Sequence, residues 1–322
     1  MQQEVSLCAR MTVFVGIGLA TLSASSLTAQ AADWPQKPVQ IVVPFNAGGD
    51  TDFNARLLSK YLEPELGVAL PVVNVSGAGG SIGSRQVLDA KPDGHTVLLF
   101  HTAMLVNFAS GLADFSFKDL EVAAIVGREP GAVLVVKGDA PWQSLDELMH
   151  DSAANPGSID LTTNIGATTY LIGSMINKAG ADFNFVDVGG SSNRLTAVLG
   201  GNVDVSQNPL GQVAPYLETG ELRALATVAL KRSEALPDVF TFKEQGYEDV
   251  GFQYAYFFAF PPDTDPETVR SLSEAASNVI LHNEEYQSEL YETYRQKPFF
   301  LDTADAIEFL GDQEAIINAF EF

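Results

Sequence analysis

Short apolar runs alternate with amphipathic helical patterns along most of the chain. Apolar runs predict strands at Val39–Val43, Val72–Val75, Thr96–Phe100, Val122–Val126, Val133–Val136 and Leu222–Val228. Apolar residues at helical spacing predict helices at Asp52–Leu62, Ser84–Asp89, Ser144–His150, Thr168–Ala179, Arg194–Gly200 and Pro266–His282. This alternation is typical of parallel sheets covered by helices, which is an α/β fold.

Two of the predicted strands end in glycine-rich turns that lead directly into helices. Residues 41–56 read Ile-Val-Val-Pro-Phe-Asn-Ala-Gly-Gly-Asp-Thr-Asp-Phe-Asn-Ala-Arg, and residues 72–83 repeat the pattern. A helix start has unpaired backbone N–H groups and a favourable dipole, so two of them can converge on one anion. The alternative is that both are ordinary strand-to-helix turns. Asp52 or Thr51 is expected to cap the first helix.

The chain is predicted to form two domains, with the second inserted into the first. One apolar run ends and another begins near residues 129–131, and a second break lies near residues 251–256, ahead of Phe257. These breaks predict a first domain from residues 32–130 and 253–322 and a second domain from residues 131–252. A cleft between two such lobes is a natural ligand site.

Residues 1–31 have the pattern of an export signal. Arg10 precedes an apolar run, a serine-rich stretch follows, and residues 29–31 read Ala-Gln-Ala, a small-x-small cleavage site. The mature protein is therefore expected to be periplasmic and to begin at Ala32. Cys8 lies in the removed segment, which leaves no cysteine for a disulfide, a thiol nucleophile or a metal site.

Composition and spacing argue against several classes of function. The net charge of −23 argues against nucleic acid or an anionic membrane surface as a partner. The four histidines have no metal-ligand spacing, so we expect no metal. Gly77, Gly79 and Gly83 miss the dinucleotide spacing, and no nucleophile elbow is present, so we expect no cofactor and no enzyme. A cofactor-binding enzyme is the disfavoured alternative.

Several motifs, in order along the chain, resemble those of the tripartite tricarboxylate transporter substrate-binding proteins, also called the Bug receptor family. The matching segments are Trp-Pro-Gln-Lys-Pro at 34–38, Pro-Phe-Asn-Ala-Gly-Gly-Asp-Thr-Asp at 44–52, Gly-Ala-Gly-Gly-Ser-Ile-Gly at 77–83, Lys-Pro-Asp-Gly-His-Thr at 91–96, Leu-Gly-Gly-Asn-Val-Asp at 199–204, Leu-Arg-Ala-Leu-Ala at 222–226, Arg-Ser at 232–233 and Leu-Pro-Asp-Val at 236–239. One such motif is weak evidence, but this many in register are strong evidence.

The resemblance implies a fold and a mode of action. It implies a two-domain Venus-flytrap receptor (type II periplasmic-binding-protein-like) that captures a small carboxylate and delivers it to membrane subunits. The candidate ligands are di- or tricarboxylates, aromatic carboxylates and acidic amino acids. In the family, two turns of the first domain hold one ligand carboxylate through backbone amides and waters. That role falls here on Phe45 to Gly49 and Gly79 to Ile82. We expect a monomer. A periplasmic carboxylate sensor for a signalling system is an alternative.

The chain departs from the family pattern in the second domain. Tyr170 stands where the family has a histidine, and residues 188–194 replace the commoner Tyr-Lys-Gly-Ser sequence. In the family this domain contacts the variable end of the ligand. The resemblance therefore carries over the fold and the mode of capture, and it leaves the identity of the ligand open.

Individual candidates have structural alternatives. His101 and Thr102 follow a strand and either line the cleft or form a satisfied turn. Tyr170 either contacts the ligand or packs. Arg194 is the candidate partner for a second carboxylate, unless it lies on the outer helix face. Tyr254 and Tyr256 either lie near the ligand or pack in the core. The predicted ligand contacts are Phe45, Asn46, Ala47, Gly48, Gly49, Thr51, Gly79, Gly80, Ser81, Ile82, His101, Thr102, Asn164, Ala167, Thr168, Thr169, Tyr170, Gly190, Ser191, Arg194, Asn208 and Tyr256.

Overall fold

The protein forms two five-stranded sheets in a computed structural model that describes residues 34–320. The strands are β1 Gln40–Val43, β2 Val72–Asn74, β3 Thr96–His101, β4 Glu121–Arg128, β5 Val133–Lys137, β6 Asp160–Thr163, β7 Asn184–Asp187, β8 Val205–Asn208, β9 Leu222–Thr227 and β10 Ala255–Phe260. The predicted export signal lies outside the described residues.

Helices connect the strands and cover the sheets. They are α1 Asp50–Leu66, α2 Ser81–Leu88, α3 Ala103–Ala109, α4 Leu145–Ala154, α5 Thr168–Lys178, α6 Ser191–Leu199, α7 Leu210–Glu218, α8 Pro266–His282, α9 Glu284–Tyr294 and α10 Thr303–Asn318. Within residues 34–320, none of these helices has the length and apolar character needed to cross a bilayer.

Each sheet contains antiparallel pairs, so the prediction of parallel sheets is wrong in part. The first sheet has the order β2-β1-β3-β10-β4, and β10 runs antiparallel to both neighbours. The second has the order β7-β6-β8-β5-β9, and β5 runs antiparallel to β8 and β9. In each sheet, the strand that arrives from the other sheet enters in the opposite direction. The α/β fold class itself is confirmed.

The chain crosses between the sheets twice. It leaves the first sheet after Arg128, enters the second at Val133, and returns at Ala255. The backbone N–H of Glu129 donates to the carbonyl of Tyr254 at 2.9 Å, so the two crossing segments are joined directly. These crossings lie near residues 129–131 and 251–256, where the sequence breaks, but the domain boundaries stay a prediction.

Strand β10 lies inside the first sheet and anchors the core. All six of its residues are buried, including Phe257, Phe258 and Phe260, which are fully enclosed. A fully buried aromatic side chain contributes about 1.5–3 kcal/mol relative to an exposed one. The return segment therefore fixes the first sheet, and with it the residues that flank the crossing.

Helix α1 begins differently from the prediction. Its N-cap is Gly49, which supplies no capping side chain, so the expected cap by Asp52 or Thr51 is wrong. The first backbone N–H of the helix, that of Asp50, donates instead to the hydroxyl of Ser191 at 3.1 Å. Asp52 instead accepts the backbone N–H of Gly48 at 2.9 Å and pairs with Arg56. The carboxylate therefore stabilises the turn before the helix, and the helix start is not capped by its own residues.

We expect Gly83→Ala to destabilise the fold by about 1–3 kcal/mol, because helix α2 passes too close to the residues that follow β1 and β2 for a side chain. A Cβ at Gly83 would lie 2.5 Å from the carbonyl oxygen of Val75 and 2.9 Å from Pro44. The matched control is Gly311→Ala in α10, where a Cβ meets nothing within 4 Å. That change should stabilise the protein by about 0.8–1 kcal/mol, from helix propensity. Urea denaturation checks both, and equal effects would contradict the close approach.

Candidate ligand-binding site

A partly open cavity of about 20 Å³ lies where the two sheets meet. Side chains and backbone from both sheets line it, and loops and helix starts supply most of the lining. The lining residues are Phe45, Gly49, Asp50, Thr51, His101, Ala132, Asn164, Ala167, Thr168, Thr169, Gly190, Ser191, Arg194 and Tyr254. Ligand sites typically measure about 300–1,000 Å³, so the cleft is narrow in this conformation.

Three helix starts point into the cavity. Helices α1, α5 and α6 begin after Gly49, Ala167 and Gly190, none of which supplies a capping side chain. Each of these N-cap residues lines the cavity. Uncapped helix starts offer backbone donors and a dipole that favours an anion. The cavity is therefore suited to a carboxylate approached from both sheets.

Arg194 supplies a positive charge to the cavity. The side chain is buried, and two of its nitrogens are held by the carbonyl oxygens of Gln207, at 2.9 Å, and Gly189, at 3.1 Å. Burial lowers the pKa of Arg194, and the negative charge of Asp50 opposes that effect. An arginine stays charged even when buried, so a cation lies at the cavity wall. The sequence left two positions for Arg194, the cleft and the outer face of its helix, and in the structure the side chain lines the cleft.

Asp50 places a carboxylate beside that arginine. Its Oδ1 accepts the hydroxyl of Ser191 at 2.7 Å, and its Oδ2 accepts the hydroxyls of Tyr256 at 2.8 Å and Tyr254 at 3.1 Å. Burial acts to raise the pKa of Asp50. The hydrogen bonds from Ser191 and Tyr256 and the positive charge of Arg194 act against burial, and the pKa lies below its ordinary value of 3.8. Asp50 is therefore ionised at neutral pH.

His101 lines the cavity with a neutral imidazole ring. Its Nδ1 accepts the backbone N–H of Ala103 at 3.1 Å, which requires that this nitrogen carry no proton. Burial lowers the pKa of His101 to about 4. The ring stacks on Phe45, with centroids 5.3 Å apart, and lies 4.9 Å from the ring of Tyr254. Within residues 34–320 no cluster of His, Cys, Asp and Glu has the size needed to hold a metal.

Hydrogen bonds join the two sheets across the cleft. Ser191 of α6 bonds Asp50 of α1, and Asn107 of α3 donates to the carbonyl of Gly166 at 2.9 Å. Weaker bonds link Gln212 and Ser192 to the carbonyls of residues 48 and 47. Gly49 permits this approach, because a Cβ there would lie 2.9 Å from the Ser191 hydroxyl oxygen. We refer to these contacts as the cross-sheet hydrogen bonds.

The second glycine turn lines a neighbouring cavity. Gly79 and Gly80 share that space with Phe45, Asn46 and residues 189–190. Phe45 and Gly190 belong to both cavities, so the two spaces adjoin. In the described residues, the start of α2 therefore faces this second space, which the start of α6 also reaches through Gly190, whereas the N-caps of α1 and α5 line the first cavity.

The other predicted contacts lie around these cavities. Tyr256 and Asn208 are buried behind the cavity wall, where Tyr256 bonds Asp50 and Asn208 donates to the carbonyl of Ser191 at 2.8 Å. Tyr170 packs edge-to-face against Phe185. The remaining five are placed as follows: Thr102 is fully buried after β3, Ala47 and Gly48 accept cross-sheet hydrogen bonds, and Ser81 and half-exposed Ile82 open α2.

Three lining residues were absent from the predicted contacts: Asp50, Ala132 and Tyr254. Tyr254 was weighed against core packing, and the structure shows its ring at the cavity with its hydroxyl on Asp50. Asp50 has a sequence signal, because it occupies the variable position of the Gly-Gly-x-Thr-Asp turn, where a ligand preference can be encoded. Ala132 has no such signal, since it is one apolar residue in an apolar run.

Comparison with known proteins gives consistent matches over most of the chain. The sequence profile described as "Tripartite tricarboxylate transporter family receptor" matches residues 54–319. Protein BugT of Bordetella pertussis is 32% identical over 276 residues, which cover 83% of this chain and 84% of that protein. The solved structure of the periplasmic binding protein BugD is 27% identical, with a TM-score of 0.82, and the match covers 89% of this chain and 97% of BugD.

A more distant structure shares the fold. Rpa4515 of R. palustris, solved with adipate, superposes with a TM-score of 0.82 at 24% identity, over 88% of this chain and 96% of that one. At this identity the likeness concerns the fold alone. The profile match begins after Phe45, Gly49, Asp50 and Thr51 of the cavity lining and includes the other lining residues.

Proposed function

The chain belongs to the tripartite tricarboxylate transporter receptor family of solute-binding proteins, and we propose that it captures a small carboxylate in the periplasm for such a transporter. The observation that carries this proposal is the convergence of three helix starts and Arg194 on one cavity. Hydrogen bonds to a charged ligand contribute about 1.5–3 kcal/mol each, so several of them support micromolar affinity.

The proposal includes the action of the receptor. The ligand shifts an equilibrium between open and closed arrangements of the two sheets. The closed receptor presents a surface that the membrane subunits recognise. The crossing segments near residues 129–131 and 251–256 serve as the hinge between the proposed domains 32–130 with 253–322 and 131–252. The receptor acts as a monomer after removal of residues 1–31. Supporting these points are the double crossing and the family membership.

A thermal-shift screen tests the proposal. The purified protein is heated with succinate, malate, citrate, adipate, benzoate, L-aspartate or L-glutamate, each at millimolar concentration. A ligand at 100 times its dissociation constant stabilises the folded state by about 2.7 kcal/mol, which raises the midpoint by several degrees. A shift with at least one carboxylate is expected. The absence of a shift with every acid, and with amino acids of other side chains, would contradict capture of a small carboxylate.

A further inference from the structure

The cavity contains a feature that a site for a simple anion would avoid: the ionised carboxylate of Asp50. This group is buried, and it lies one residue inside the helix start that offers its donors to the ligand. Three hydroxyl groups donate to it. Burial raises the pKa of Tyr254 and Tyr256 well above the ordinary value, so both hydroxyls remain protonated donors. A carboxylate accepts about four hydrogen bonds, which leaves Asp50 room for one further donor.

The charges that line the cavity sum to zero. Asp50 is negative, Arg194 is positive, and His101 is neutral, as its accepting Nδ1 requires. A dicarboxylate would bring two negative charges into a cavity whose lining has no net charge, and one of them would face Asp50. Buried charges without partners are strongly unfavourable. A ligand with one positive and one negative group leaves the net charge of the cavity at zero. It also provides an oppositely charged partner for both Asp50 and Arg194.

The surroundings of Asp50 also suit a cationic group. The rings of Phe45, His101 and Tyr254 line the same cavity, and the His101 ring lies within 5.3 Å of both neighbours. An ammonium group beside aromatic faces gains cation–π attraction, which strengthens when water is excluded. On the opposite side, the starts of α5 and α6 and the guanidinium of Arg194 provide the anion subsite.

We propose that the ligand is an amino carboxylate, whose ammonium group is bound by Asp50 and the surrounding rings and whose carboxylate is bound by Arg194 and the starts of α5 and α6. Asp50 is then the residue that selects amino carboxylates over carboxylic acids without an amine. This inference rests on the proposed function, because it names the class of carboxylate that the same cavity takes.

Calorimetry with matched pairs of ligands tests the inference on the full protein. The pairs are L-glutamate with glutarate, L-leucine with 4-methylpentanoate, and L-phenylalanine with 3-phenylpropionate, which differ only in the α-amino group. At least one amino carboxylate should bind about tenfold or more tightly than its amine-free partner. Amine-free acids that bind equally or more tightly would overturn the inference and leave the proposed function standing. Binding by none of the six would overturn the inference and count against the proposed function as well.

The variant Asp50→Asn assigns the preference to its residue. It keeps the size and most hydrogen bonds of the side chain and removes the charge, so the preference for the amino carboxylate should fall about tenfold or more. The matched control is Asp52→Asn, an acid in the same helical turn that pairs with Arg56 and lies outside the cavity lining. The control should keep the ratio of the two affinities. An unchanged ratio in Asp50→Asn would overturn the role of Asp50.

Discussion

Replacing Arg194 with alanine is expected to weaken carboxylate binding by about 30-fold or more, the equivalent of about 2 kcal/mol. The guanidinium is the one cation of the cavity lining, and two backbone carbonyls hold it in place. Its removal leaves the helix starts as the only source of positive potential and leaves Asp50 without a compensating charge. Calorimetry with the tightest acid from the thermal-shift screen measures the loss.

The control for Arg194→Ala is Arg223→Ala. Arg223 is also held by backbone carbonyls, those of Gly138, Ala140 and Trp142, but it lies on the far side of β5 and outside the cavity lining. Both variants lose hydrogen bonds to carbonyls and one positive charge, so the two should lose similar stability. Only Arg194→Ala should lose affinity. Wild-type affinity in Arg194→Ala would show that the carboxylate binds elsewhere.

Glu129→Gln is expected to flatten the dependence of stability on pH between pH 6.5 and 8. Glu129 is fully buried at the first crossing; burial and then the charge of Asp50 raise its pKa to about 8, although the hydrogen bond from Gln296 opposes this. The folded state therefore holds a proton that the unfolded state releases. Raising the pH through this window destabilises the wild type by about 1–2 kcal/mol, and the variant should not show this loss.

The pH window isolates Glu129 from the other buried groups. The pKa of His101 falls from 6.5 to about 4 on folding, so His101 destabilises the fold only as the pH decreases below about 6.5. Urea unfolding at pH 6.5, 7.2 and 8 gives the slope, and the exposed Glu285→Gln serves as control for the loss of one acid. A slope in Glu129→Gln equal to that of the wild type would place the titrating group elsewhere.

The sequence predicted the strands β1 to β5 and β9, and it missed β10 although that strand is a continuous apolar run. Helix α8 was predicted at its observed bounds, because Pro266 and the acid after it mark its start. Strand β7 was missed because it has four residues with half-polar, half-exposed positions. The direction of β10 was not predictable from its pattern, since a strand buried on both faces has the same apolar run in either direction.

The candidate site was partly predictable for a similar reason. Local motifs mark turns and helix starts, so Gly49, Ala167 and Gly190 followed from the sequence and the resemblance. The hydrogen bonds of Asp50 connect it to residues 141 to 206 positions further along the chain. No local pattern reports such a contact, and in the sequence Asp50 is simply one of two acids in a helix start.

The cross-sheet hydrogen bonds affect how ligand binding would be coupled to closure of the cleft. They form between protein groups alone, and each contributes about 0.5–1.5 kcal/mol net. These bonds therefore lower the free energy of the arrangement in which the two sheets meet, independently of the contacts that a ligand adds. If the proposed membrane subunits recognised that arrangement alone, they would not distinguish the bound from the unbound receptor, so the coupling needs a contact that the ligand itself changes. The Ser191–Asp50 hydrogen bond lies at the cavity, where a bound ligand would compete with it directly. This hydrogen bond is therefore the cross-sheet contact that is suited to distinguish the bound receptor from the unbound one.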